Sequence, residues 1–400
     1  NLSRGLGDVY KRQRWDLQLK GAGKTLYSRD GDGRAVLRSS IREYLCSMAM
    51  HGLGMPTTHA LFLSGSEQEV YREQIEPGAM VLRVAPSHIR FGSFEYFFYS
   101  QRYDDLQRLF DYVVQTYFPH LEDTDDAAIA FLDEVISSTA AMIAQWQAVG
   151  FAHGVMNSDN MSVHGITLDY GPFGFIEQYD PQFICNHSDY HGRYAFARQP
   201  EIGLFNLSCL AQALLPLLDA DTDKAVEKAK RSLEAYQQQF EQHYRSLMLD
   251  KLGLTNHVDS DRSLVESLNE LMEANHTDYT ILFRKLSDSL GDEDIDRCRD
   301  LFIDRQSFDR WYAEYHDRLQ RESVSAIARS ERMKQVNPKS ILRNYMAESA
   351  IRKAQDNGDY SEIDRLMKIL RRPYDEHPEY ASYAGHPPEW AQGIEVSCSS

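Results

Sequence analysis

The stretch HGVMNSDNMSVHGITLDYGPFG, residues 153–174, gathers side chains suited to phosphate and a divalent metal. His153 opens it, Asp159 and Asn160 stand side by side, and Asp169-Tyr170-Gly171 follows beyond a short apolar run. Hard oxygen ligands from one loop and one strand end match a magnesium ion bridging phosphates. A loop that moves a phosphoryl group also carries an acid two residues after such a histidine and five before the asparagine, to take the proton of the attacking hydroxyl. Here that position is Val155, which accepts no proton. Asx residues in loops mostly form turns or caps. That accounts for Asn157, but not for the joint spacing of Asp159, Asn160 and Asp169. The stretch reads either as a loop without chemistry or as one running a different chemistry with the same parts.

Upstream residues sharpen the choice. Lys20 ends the strand-like WDLQLK, and Glu43 lies on the helix that follows. Singly each is an ordinary surface charge; in this order, before such a loop, they form a phosphate-contacting lysine held by a helix glutamate. Arg83 and Arg90 flank VAPSHI, and their planar forks suit phosphate. GAGKT at 21–25 is not a phosphate-binding P-loop, because position 18, where the first glycine belongs, is Gln18. Cys185, His187 and His191 sit in one long loop and read as loop residues rather than a metal site.

The elements that must position these residues follow from periodicity. Residues 15–91 read as a small mixed unit: the strand WDLQLK, a glycine-rich turn, a helix with Val36, Leu37, Ile41, Leu45 and Met48 on its apolar stripe, then the strands HALFLSG, EVYREQ and AMVLRVAP. Residues 92–370 turn helical, with a long amphipathic helix ending at Gly150 directly before the loop. MSVHGITLDYG alternates as a strand pair, and the segment after Pro172 is long and irregular. Residues 371–400 form a tail. Residues 1–14 are read as a non-native leader outside the fold, since DVYKRQ is what a common transposase sequencing adapter encodes in this frame. The order gives an α+β fold with a bilobal, protein-kinase-like architecture.

Composition sets the outer limits. Hydrophobic residues at 42% and charged residues at 26% describe an ordinary globular chain. A formal charge of −17 argues against wrapping nucleic acid. No apolar run approaches the roughly 20 residues of a membrane span and no secretory signal opens the chain, so neither a nucleic-acid nor a membrane partner is expected. Cysteines 46, 185, 209, 298 and 398 lack CxxC spacing, which fits a reducing, cytoplasmic setting.

LQLKGAGKTLYSRDGDGRAVLRSSIREYL, VLRVAPSHIRFGSFE, HGVMNSDNMSVHGITLDYGPFGF, FICNHSD and the terminal EVSCSS together resemble the selenoprotein O family, within the kinase superfamily, from about Trp15 to Ser400. Cys398 stands where other members carry selenocysteine. The resemblance implies a protein adenylyltransferase, which moves AMP from ATP to Ser, Thr or Tyr hydroxyls of other proteins. It implies that Lys20 contacts phosphate beside Glu43, that Asp32 and Gly33 join the nucleotide pocket, and that Arg83 and Arg90 hold a nucleotide reversed relative to kinases. Asp159 becomes the proton acceptor, Asn160 and Asp169 bind Mg2+ (or Mn2+), Asp169 also serves ATP, and Cys185 and Cys398 form a regulatory disulfide. Phosphoryl transfer, UMP transfer and a non-catalytic nucleotide-binding scaffold are the competing readings. Family members carry further sequence before this point, including a glycine-containing loop over the nucleotide. The chain is therefore expected to be N-terminally truncated, to leave a sheet edge exposed and to show weak or no activity.

Overall fold

The computed structural model describes residues 4–7, 14–24, 31–72, 74–290, 294–391 and 393–396. A five-stranded antiparallel sheet contains β1 (Arg4–Gly7), β2 (Arg14–Lys20), β3 (Ala35–Val36), β4 (His59–Tyr71) and β5 (Ile75–Ala85). β5 is its centre. One edge pairs with β2 from Asp16↔Ala85 to Lys20↔Val81 and then with β3, while the other edge carries β4. Residues 4–7, set outside the fold in the sequence reading, pair with β2 from Arg4↔Leu17 to Gly7↔Arg14.

The expected strands HALFLSG and EVYREQ are one strand, β4, with register shifts between Ala60 and Phe62 and between Gly65 and Glu69. A bulge lets a strand absorb turn-prone residues such as Gly65 and Ser66 without ending its pairing. The sequence signal for a break is therefore a kink.

α1 (Leu37–Gly52) packs across this sheet. Leu37, Ile41 and Leu45 are buried as the stripe requires, and Arg42 and Glu43 are buried with them. Among the described residues no carboxylate forms an ion pair with Arg42. Its Nη2 donates to Phe173 O at 2.7 Å and to Asn344 Oδ1 at 3.2 Å, and its guanidinium lies 4.4 Å from the Phe173 ring centroid. Burial pushes its pKa down to about 10, and the carbonyl, amide and ring share the hydration it gave up.

The remainder is helical: α2 (Phe91–Tyr99), α3 (Tyr103–Tyr117), α4 (Ala127–Val149), α5 (Gln199–Leu218), α6 (Thr222–Lys251), α7 (Asp261–Asn275), α8 (Tyr279–Asp288), α9 (Asp296–Arg299), α10 (Arg305–Leu319), α11 (Ala326–Val336), α12 (Asn344–Asn357) and α13 (Ser361–Arg371). A two-stranded ribbon, β6 (Phe151–Ala152) with β7 (Gly174–Phe175), brackets the 153–174 stretch. One core joins α1 to α5 with α12 and α13; a second lies among α6, α7, α8 and α10. The segments Ala127–Val149 and Phe196–Leu218 are long and apolar enough by length and composition to cross a membrane, against the sequence expectation. Half or more of each is buried against other helices, so the apolar surface serves the internal core.

Two features of the 153–174 stretch depart from expectation. Residues 161–170 form isolated bridges, Met161↔Thr167 and Arg90↔Ser162, in place of a strand pair. Alternation there records burial from both sides, with Leu168 packing on Ala85 and Ile166. Gly150, by contrast, does what a terminal glycine should. Its φ of 77° closes α4 in the left-handed region and turns the chain into β6. A Cβ there would meet Ile176 Cγ1 at 2.7 Å. Gly150→Ala is expected to lower unfolding free energy by about 1–3 kcal/mol, from backbone strain plus contact. Denaturant unfolding followed by circular dichroism measures it.

Candidate active site

The loop is fastened before it is functional. His153 is buried, and its Nε2 meets Leu168 O at 2.8 Å, which ties the start of the loop to the residue before Asp169. Burial holds its pKa below the usual histidine value. Gln199, at the start of α5, accepts from His153 N at 2.9 Å and donates to Phe151 O at 2.8 Å. Asn206, two turns on, donates to Met156 O at 2.8 Å. Ser158–Asn160 form a short 3-10 turn. In it Asn160 Nδ2 donates to Val155 O at 2.8 Å, which turns the amide oxygen away from that carbonyl. Val155 thus serves through its backbone.

Asp169 stands at the centre. It is a non-glycine residue at φ 57°, an uncommon conformation that Asp tolerates better than bulky residues. Arg83 Nη2 ion-pairs with its Oδ1, without the alignment of a hydrogen bond, and Arg90 Nη1 hydrogen-bonds its Oδ2. Lys20 Nζ lies 4.0 Å from Oδ1. Glu43 completes the cluster, bonded to Arg83 Nε through Oε1 and to Lys20 Nζ through Oε2 at 2.7 Å. Arg83 also donates to Gln18 Oε1 at 3.2 Å.

Burial alone would raise both carboxyl pKa values. The adjoining Arg83, with Arg90 and Lys20 for Asp169 and with Lys20 for Glu43, outweighs it: Asp169 is held well below the usual carboxylate range and Glu43 below it. Lys20, Arg83 and Arg90 thus surround the two carboxylates of Glu43 and Asp169.

Asp159 joins the cluster through the backbone and through space. Arg90 Nη1 donates to Asp159 O as well as to Asp169. Gly92, the second residue of α2, lies against the Asp159 side chain, so that a Cβ there would collide with Oδ1. The Asp159 carboxylate therefore sits at the amino end of α2, where the helix dipole favours negative charge.

Lys20, Glu43, Arg83, Arg90, Asp159, Asn160 and Asp169 thus fall in one neighbourhood. Asp32 and Gly33 are placed apart from it. Asp32 takes a two-pronged bond from Arg72 (Nη1 to Oδ2 3.0 Å, Nη2 to Oδ1 2.9 Å) and accepts from Arg34 N, which brings its pKa down to about 2. Gly33, at φ 70°, packs against the Gly23 carbonyl where a Cβ would collide, closing the turn from strand to helix. Cys185 is a buried free thiol whose pKa burial pushes up to about 12. Cys398 lies outside the described residues. The neighbouring His187 N donates to Val396 O at 2.8 Å, which brings the tail against the Cys185 loop.

Three contributors were missed from sequence. Arg72 follows a strand and reads as solvated. Gly92 hides in an aromatic helix, though a glycine at a second helical position is itself a cue. His88, between the two arginines in VAPSHIR, has both ring nitrogens buried without a hydrogen-bond partner among the described residues. Burial, reinforced by Arg83 and Arg90, pushes its pKa down to about 4.

The chain belongs to the SelO protein adenylyltransferase family, whose profile matches residues 5–371. It is similar to the protein nucleotidyltransferase YdiU of Paraburkholderia xenovorans, 52% identical over 408 residues, covering 99% of this chain and 78% of that one. The YdiU proteins of Burkholderia thailandensis (52%) and Burkholderia multivorans (51%) each match 97% of this chain and 76% of their own length. The chain is a nucleotidyltransferase by family.

Two outcomes test the geometry. Gly92→Ala is expected to move the Asp159 loop while costing little global stability, seen as amide shift changes confined to α2 and residues 155–161 in NMR spectra. Because Asp169 and Glu43 have depressed pKa values, their stabilisation is full above the unfolded carboxylate range and fades as pH falls through the folded values. Arg83→Met raises those folded values. Acid unfolding of the variant, followed by circular dichroism, should therefore begin at higher pH.

Proposed function

We propose that the chain transfers AMP from ATP to Ser, Thr or Tyr hydroxyls of proteins in the cytoplasm, releasing pyrophosphate, on a kinase-like two-lobed frame. The observation that carries this reading is the convergence of Lys20, Arg83 and Arg90 on Glu43 and Asp169, with Asp159 alongside. Such a cluster has the charge and the planar donors to take the β- and γ-phosphates. Anchoring those two leaves the α-phosphate toward the acceptor hydroxyl, the geometry in which pyrophosphate departs. Asp159, beside that position, takes the hydroxyl proton. The same cations offset the charge that develops on pyrophosphate. Asp32 and Gly33 are assigned to the outer part of the nucleotide pocket, with Arg72 fixing Asp32.

The donor set fits a magnesium ion, or manganese in its place. Asn160 has its amide nitrogen committed to Val155 O, so its oxygen is the available donor, and Asp169 offers a carboxylate. Among the described residues no group of three or more His, Cys, Asp or Glu side chains forms an all-protein cage. Two protein donors with phosphate oxygens is the pattern Mg2+ favours. When bound, the ion would neutralise phosphate charge. Asn160 and Asp169 would hold the ion, and Arg83 and Arg90 would then be available to phosphate.

ATP labelled separately at the α- and γ-phosphates, incubated with the protein and a cell extract, tests the reading. Label from the α position, weak in this chain, is expected on protein and is lost about 10²–10⁴-fold in Asp159→Asn and fully in Asp169→Ala. Label arriving from γ makes the enzyme a kinase. Preference for α-labelled UTP over ATP moves the assignment to UMP transfer. No transfer at all, with nucleotide still bound, leaves a scaffold.

A further inference from the structure

Lys251 is the last residue of α6 and is only 4% exposed. Its Nζ lies 4.2 Å from the Phe283 ring centroid and 5.2 Å from that of Tyr279, both on α8. Asn337 Nδ2 donates to the Lys251 backbone carbonyl at 2.8 Å, and among the described residues no hydrogen bond or carboxylate ion pair reaches its Nζ. The floor is fixed, since Tyr279 OH donates to Ala148 O at 2.9 Å. Lys251 lines a cavity of about 240 Å³ between the end of α1 (Leu53, Met55), the end of α4 (Gln145, Val149) and the end of α11 (Val336). Gln145 Oε1 in the same wall is a buried acceptor without a partner.

A lysine so placed is unlike an ordinary surface lysine. Two rings lie against its ammonium, and the residue lines a space large enough for a small molecule. Burial pushes its pKa down to about 7. The charged group sharing the cavity is Asp250, whose own pKa burial raises against His257 and Arg332. The hydroxyls of Tyr279 and Tyr374 stay protonated near neutrality, burial having raised Tyr279 well above its ordinary value and Tyr374 to about 12.

We propose that Lys251 is a covalent acyl-acceptor site, modified by small acyl phosphates that enter this cavity. The Nζ lone pair attacks the carbonyl carbon, a C–N bond forms, and the C–O bond to phosphate breaks. Phosphate leaves with the electron pair, and the proton released from nitrogen passes to phosphate or water. The product is a neutral amide, which relieves the desolvation of the ammonium and places the acyl chain among Leu53, Met55 and Val149. The site lies apart from the nucleotide cluster and does not depend on the proposed transfer reaction.

The test treats the folded full chain with acetyl phosphate at pH 7 and pH 10 and reads occupancy at each lysine by peptide mass spectrometry. At pH 7 Lys251 is expected to acylate at least about tenfold faster than exposed Lys230, because burial leaves far more of its amine uncharged. The advantage should shrink at pH 10, and Val336→Trp, at the exposed rim, should remove it while Lys230 keeps its rate. Equal rates at pH 7, an advantage that persists in urea, or an advantage untouched by Val336→Trp would each overturn the assignment.

Discussion

A carboxylate cannot remain charged inside a protein without cations around it, and the placement of Asp169 makes that constraint govern the site. Arg83 and Arg90 reach it from the end of β5 and the start of α2, and Lys20 from the end of β2. These cations, brought together, would repel one another, and Glu43 from α1 is the second anion that allows them to converge. Sheet, helix and loop are thereby locked by one alternating set of charges. Removing a single member strands the others in a medium that solvates them poorly, at a cost of about 3–5 kcal/mol. The cations are thereby gathered in one place, so the work of concentrating positive charge is done by folding.

The valine at the proton-acceptor position of a phosphoryl-transfer loop contributes through its backbone carbonyl. Val155 O holds the Asn160 amide, and the side chain is half-buried. The acid next to Asn160 instead sits at the amino end of α2, in space that Gly92 leaves empty. The Asp159 position depends on two segments distant in sequence, a glycine in a helix and an aspartate in a turn, and neither explains the other until the chain is folded.

Much of this was legible beforehand. The Lys20–Glu43 pair follows from a strand end and a helix face in the right order, and the long helix ending at Gly150 from its apolar period and terminal glycine. The resemblance carried Arg83, Arg90, Asp159, Asn160 and Asp169 to positions that the fold brings together. What sequence concealed depends on tertiary surroundings. β4 hides its continuity behind Gly65, because a bulge and a turn use the same residues. Arg42 looks like surface charge, since nothing local reveals that Phe173 and Asn344 will meet it. Asp32 looks available until Arg72 arrives from 40 positions away. His88 is unremarkable by type and distinctive only in being buried between two arginines.

The three side-chain bonds from α5 to the loop give the site its mechanical character. Gln199 replaces a strand neighbour for Phe151 and His153, and Asn206 holds Met156 from the same helix face. A ribbon of two residues per strand would hinge easily, but this one is bolted to a helix of 20 residues. Loop and helix therefore behave as one stiff lever. Displacing the loop from its helix therefore means breaking side-chain bonds at three points, at Phe151, His153 and Met156.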